Sequence, residues 1–163
     1  MRILLAIDES KFSEAAVRSV AAGPWPPETE VRVLHVVESP SLLLGREIAA
    51  HDKRFEAVWN ALREQANVLL AKATEELSRS GLNVTPALIE GDPKSQIIDI
   101  ASDWHADLIV LGSHGRRGLD RFLMGSVSEA VVRYAHCSVE IVRIPAKAHH
   151  DPAPSAKTKN NPR

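Results

Sequence analysis

Five short apolar runs alternate with four stretches of helical periodicity, and that alternation leaves few folds open. The runs are RILLAI at residues 2–7, VRVLHVV at 31–37, VTPALI at 84–89, ADLIVL at 106–111 and VEIVRI at 139–144. Each is short and carries β-branched residues, so each reads as a strand. After the first, Asp8-Glu9-Ser10 leads into SEAAVRSVAA, which predicts a turn and a helix capped by Ser10 or Ser13 and stopped at Gly23-Pro24. After the second comes a long connection, residues 38–53, with an apolar patch at Leu42-Leu43-Leu44. Phe55, Val58, Leu62, Ala66, Leu69, Ala73 and Leu77 then recur at steps of three or four, the signature of an amphipathic helix of about seven turns, closed by Gly81. Gly91-Asp92-Pro93 supplies a turn, an N-cap and a proline at the first helical position. Ile97, Ile98, Ile100, Ala101 and Trp104 carry that helix to about His105. A last helix is expected from Ser126 to about Ala135.

Strands alternating with helices mean parallel pairing through right-handed crossovers. Runs one, two and four lack a clean polar alternation, as strands buried on both faces do. Pro86 marks the third strand as an edge. The expected fold is an α/β open doubly wound five-stranded parallel sheet with helices on both faces. In such sheets a ligand sits outside the carboxyl ends of the strands, where strand order reverses. Asp8 and Gly112 stand at two of those ends.

Totals narrow the function. The chain has 163 residues, 20 Lys and Arg against 21 Asp and Glu, and one cysteine, Cys137. A near-neutral chain has no global attraction to nucleic acid or a membrane surface. One cysteine excludes a disulfide framework and a cysteine-based zinc site. The N-terminus MRILLAIDES lacks a signal-peptide layout and no run spans a bilayer, so a cytoplasmic location is expected. The last segment differs in kind. Residues 145–163 hold four prolines, and Lys147, Lys157, Lys159 and Arg163 against Asp151. So little apolar content predicts a disordered basic tail after a single domain of residues 1–144. His149 and His150 in that tail do not by themselves make a metal site.

The stretch GSHGRRGLDRFLMGS, Gly112 to Ser126, sits directly after the fourth strand. Glycine admits unusual backbone angles and lets a ligand approach the N–H groups without a Cβ in the way. A strand exit lined by N–H groups forms an anion nest, and Gly125-Ser126 opens a helix whose N-terminus favours phosphate. Two N–H clusters separated by nine residues can therefore grip one polyphosphate. The stretch is neither G-x-x-x-x-G-K-[ST] nor G-x-G-x-x-G.

This G-x2-G-x9-G-S spacing after the fourth strand resembles the nucleotide-binding signature of the universal stress protein family. IDES after strand one, LHVV in strand two, the E-G-D-P turn, DLIVLGSHG and LMGSVSEAVVRYAHCSV extend the resemblance over residues 1 to about 144. The resemblance implies strand order 3-2-1-4-5, dimerisation through the fifth strand, and membership of the subgroup that binds ATP, with Mg²⁺ accompanying it. It also implies roles. Asp8 would bond the ribose, the backbone of Val36 would read adenine, and Gly112, Gly115, Gly125 and Ser126 would hold the phosphates. Apart from the resemblance, Arg116 is the arginine of the stretch expected to add charge near them. The chain departs from the family pattern at Ser138 and Glu140, which puts a charge in the edge strand. Such a charge either opposes edge pairing or needs a partner across the interface.

Plainer readings stand beside these. Ser126-Val127-Ser128-Glu129 is S-x-x-E, a capping box, which stabilises a helix start without a ligand and can coexist with phosphate binding. Asp after a strand is commonly a turn residue. Arg117 and Arg121 read as solvated, His35 as a packed core residue, and Cys137 as a small buried hydrophobe. Phosphoryl transfer needs metal ligands and a group that positions the nucleophile. The glycine stretch holds one acid, Asp120, and no lysine, and no base stands poised beside Ser113, Ser126 or Ser128. The expected function is therefore an ATP-binding regulatory protein of the stress response. The alternatives are a slow ATPase or autophosphorylating enzyme, and an adaptor with a vestigial nucleotide site.

Overall fold

A computed structural model describes residues 1–38, 53–115 and 124–144. The elements in chain order are β1 (Arg2–Ala6), α1 (Lys11–Ala22), β2 (Glu30–Val37), α2 (Lys53–Arg79), β3 (Asn83–Glu90), α3 (Pro93–Asp103), β4 (Leu108–Gly112), α4 (Ser126–Tyr134) and β5 (Ser138–Val142). The five strands form one parallel sheet in the order β3-β2-β1-β4-β5. Pro86 lies on β3, an edge strand, where its missing N–H leaves an outer position rather than a central ladder unpaired. The Leu42–Leu44 patch, Arg116, Arg117, Asp120, Arg121 and the 145–163 tail lie outside the described residues.

Successive strand residues point to opposite faces, and the core divides accordingly. Ile3, Leu5, Val31, Val33 and Val110 pack under α1 and α2, against Val17, Val20, Leu70 and Leu77. Leu4, Ala6, Leu34, Ile109 and Leu111 pack under α3 and α4, against Ile97, Ala101 and Val131. Each fully buried aliphatic side chain contributes about 1.5–3 kcal/mol, so the two faces together fix the sheet. Capping follows the sequence at two helices. Ser10 caps α1, its hydroxyl accepting from Ser13 N–H, and Asp92 caps α3 ahead of Pro93, accepting from Ser95 N–H at 3.1 Å.

Several boundaries move by one or two residues. The helix α3 ends at Asp103 rather than His105, which turns the chain at φ +52° into β4. Strand β4 begins at Leu108, where pairing with Ile3 of β1 begins, and runs on into Gly112. Strand β5 stops at Val142, whose carbonyl accepts the Ser113 N–H just past the end of β4. In α2 the buried stripe is Ala66, Leu70, Ala73 and Leu77, with Leu70 in place of the expected Leu69. Val58 is 55% exposed, and the Phe55 side chain lies outside the described residues.

Candidate functional site

After β1 the chain crosses to β2 on one side, and after β4 it crosses to β5 on the other. The exits diverge, and a cleft of about 800 Å³ opens at the carboxyl ends between them. Ile7, Leu34, Val36, Ile97 and Leu111 give it an apolar floor and wall. Asp8, Gly112, Gly115, Gly125 and Ser126 line its other side. The structure thus brings together six of the seven residues singled out by sequence. The seventh, Arg116, lies outside the described residues.

The glycine segments meet directly. Gly125 N–H donates to the Ser113 carbonyl at 2.9 Å, so the chain returns after its nine-residue excursion to the point it left. None of Gly112, Gly115 and Gly125 has a left-handed φ. What these positions require is space. A Cβ on Gly112 would meet Phe12 Cβ at 2.7 Å and its carbonyl carbon at 2.8 Å. Gly112 is therefore glycine because α1 packs tightly on β4. A Cβ on Gly115 would lie 2.8 Å from Asp8 Oδ2, so that glycine keeps room beside the carboxylate.

Asp8 follows β1 and is held in a fixed pose. Its Oδ1 accepts from Ser10 N–H at 3.0 Å and from the Ser13 hydroxyl at 2.7 Å. The Ser13 hydroxyl in turn accepts the Asp8 N–H at 2.8 Å. Ser10 also donates to the His114 carbonyl at 3.3 Å, tying the first turn of α1 to the glycine segment. Sequence reasoning took Ser10 and Ser13 as helix caps and missed this clamp. The available signal was Asp-x-Ser-x-x-Ser, which sets both hydroxyls one turn apart immediately after a strand-ending acid.

Val36 reaches the cleft through its backbone. In a parallel ladder alternate residues turn their N–H and C=O to the same neighbour. Leu34 faces β1, because its carbonyl accepts Ile7 N–H at 2.9 Å. Val36, two residues on, faces the same side, beyond the end of β1. His35 between them is buried, and its Nδ1 donates to the Ile7 carbonyl at 2.8 Å, which makes it the packed residue expected.

The capping box is not formed. Gly125 is the N-cap of α4, its carbonyl accepting Glu129 N–H at 2.9 Å, and no side chain caps this helix. Ser126 is the first helical residue and is exposed at the cleft. The helix starts at Ser126 as expected, and Gly125, anchored to Ser113, takes the cap position that the box would give to Ser126. Ser128, the third helical residue, is buried and donates to the Gly112 carbonyl at 2.8 Å.

Other residues fall outside these roles. Ser113 is buried, and its hydroxyl lies 3.1 Å from His114 Nδ1. The His114 ring stacks obliquely on Phe12 at 5.0 Å, and its buried Nε2 has no hydrogen-bond partner among the described residues. Burial, then the Asp107 carboxylate, pushes the half-buried Cys137 thiol above its ordinary pKa, as suits an inert side chain. Glu140 needs no partner across an interface. It lies beside Val110, facing α1, and accepts from the Ser19 hydroxyl at 3.0 Å. Among the described residues no cluster of three His, Cys, Asp or Glu could hold a metal, and no helix is long and apolar enough to cross a membrane.

Known proteins match this arrangement along nearly its whole length. The model of the universal stress protein family covers residues 1–143. The chain belongs to the universal stress protein family. The universal stress protein MJ0531 of Methanocaldococcus jannaschii is 32% identical over 147 residues, spanning 90% of this chain and 84% of the relative. MJ0577 of the same organism is 32% identical over 154 residues, spanning 87% of this chain and 94% of the relative. The solved structure of MJ0577 superposes with a TM-score of 0.78 at 29% identity, over 90% of this chain and 97% of that one. The universal stress protein of Archaeoglobus fulgidus in complex with dAMP shares the fold at a TM-score of 0.62 and 22% identity, over 87% of this chain and 97% of that one.

Proposed function

We propose that this universal stress protein binds ATP in the cleft at the carboxyl ends of β1 and β4 and acts as a nucleotide-dependent regulator in the cytoplasm. One observation carries the reading: the two glycine segments, 112–115 and 125–126, are hydrogen-bonded into a single backbone rim beside the uncapped start of α4. Such a rim suits phosphate oxygens, since helix-terminal N–H groups and the helix dipole both favour negative charge. Beside it, Asp8 would accept from ribose hydroxyls, and the outward backbone of Val36 would pair with a base edge. The cleft volume is in the range of sites that hold drug-sized ligands. The fold accommodates a nucleotide in the Archaeoglobus fulgidus protein, which holds dAMP. Mg²⁺ would enter with the phosphates, since it keeps several waters and leans on substrate oxygens.

The reading is of a binder and not an enzyme. Ser113 has a histidine beside its hydroxyl, but it is buried and 2% exposed, sealed from any phosphoryl group. Two copies are proposed to pair along β5, the free edge opposite β3. Calorimetry on folded, nucleotide-free protein tests the main claim. Saturable uptake of ATP, with no phosphate release above the protein-free rate, is the expected result. A folded protein that takes up no ATP overturns the assignment, and steady phosphate release overturns the binder reading.

A further inference from the structure

We infer that Ser13 is a positioning residue that sets how strictly the site demands a ribose hydroxyl. The inference rests on the nucleotide reading above and names a determinant of its selectivity.

The observation is the pair of hydrogen bonds between one hydroxyl and one residue. Ser13 Oγ lies 2.7 Å from Asp8 Oδ1 and 2.8 Å from Asp8 N. An ionised carboxylate only accepts and an N–H only donates, so the hydroxyl proton must go to Oδ1 while the oxygen receives the N–H. The hydroxyl has no rotational choice left. Ser13 is 5% exposed, so water cannot substitute for it readily. With Ser10 N–H as its second donor, Oδ1 is held on the α1 side. The carboxylate plane is thereby fixed, and Oδ2 is turned toward Gly115, within 2.8 Å of where a Cβ there would stand.

A carboxylate that can rotate accepts a hydroxyl in several poses and reads none of them strictly. A clamped one offers a single direction, and the group it reads must arrive along it. Charge-assisted hydrogen bonds are the stronger kind, and their geometry carries discrimination. Ser13 borders the cleft, but its one hydroxyl proton is committed to Asp8. It acts through Asp8, so its removal should change selectivity more than overall affinity.

The test titrates ATP, 2′-dATP and 3′-dATP by calorimetry into the full-length protein and its Ser13→Ala variant. Wild type is expected to bind at least one deoxy analogue about tenfold more weakly than ATP, the loss of one charge-assisted bond. In Ser13→Ala that ratio should shrink to about threefold or less, with ATP affected more than the analogue. A purely structural serine would weaken all three ligands alike and leave the ratio unchanged. Ser13→Cys, close in size and a poor donor, serves if the alanine variant does not fold, and Ser13→Thr should restore the ratio. Full discrimination retained in the alanine or cysteine variant overturns the inference, and so does a wild type indifferent to both hydroxyls. A wild type that binds none of the three ligands instead overturns the nucleotide reading on which it rests.

Discussion

Gly112 and Gly115 lie three residues apart, and the structure gives them opposite purposes. The space a side chain would take at 112 is filled by Phe12 Cβ and backbone, which cannot swing away. Gly112→Ala should therefore cost about 1–3 kcal/mol by overpacking. That lowers Tm by at least a few degrees for a domain of this size, a shift readable by differential scanning calorimetry. At 115 the obstacle is a carboxylate oxygen, and the residue is exposed. Gly115→Ala should leave Tm nearly unchanged and weaken ATP binding by about tenfold or more, since its methyl crowds the cleft-facing Oδ2 of Asp8 while the clamp on Oδ1 stays in place. If Gly115→Ala melts early, or Gly112→Ala melts normally, the division of labour is wrong. Sequence alone could mark both glycines. It could not separate them, because the contact that distinguishes them comes from residues about a hundred positions away in the chain.

Helix α2 has a buried half and an outlying half. Its 27 residues extend about 40 Å at 1.5 Å per residue, while the eight-residue strands beside it span about 27 Å. The first turns thus lack sheet to cover, and from 56 to 65 no described residue is buried. Leu77→Ala should cost about 2–5 kcal/mol, because Leu77 is fully buried. Val58→Ala should fall within about 0.5 kcal/mol of wild type. Urea titrations of the two variants check the contrast, and equal losses would show that the outer half is covered in solution. Periodicity placed the whole helix but misjudged which turns bury their apolar stripe. A three-or-four pattern records where apolar residues recur and carries no information on how long the opposing layer is. Helix α4 begins at Ser126 as expected, but the capping box there was misread for a related reason. Ser-x-x-Glu fits a helix beginning at either of two residues, and the bond from Gly125 to Ser113, made far from the pattern, decides between them.

At the scale of the whole molecule the strand count and the parallel pairing were legible, because the apolar runs are short and the crossovers have a fixed hand. The strand order came from family resemblance, and no local pattern encodes it. Assembly is the open property at this scale. Val142 turns its carbonyl to β4, so Val139 and Ile141 turn their backbone groups to the free edge. Val132, Tyr134 and Ile144 are large apolar side chains left exposed on or after α4 and β5. Sedimentation should give twice the 17.8 kDa of one chain, and Val139→Pro should give a folded single chain, since it removes an outward N–H and spares the β4 ladder. A variant that sediments as wild type places the interface elsewhere. The bond that returns Gly125 to Ser113 has a last consequence, for descent. The residues between Gly115 and Gly125 can be replaced or lengthened without changing the separation of the two glycine segments. Lineages built on this fold are thus free to rewrite the sequence that joins the two segments while inheriting the rim itself, and new specificities can arise there by insertion, with the sheet untouched.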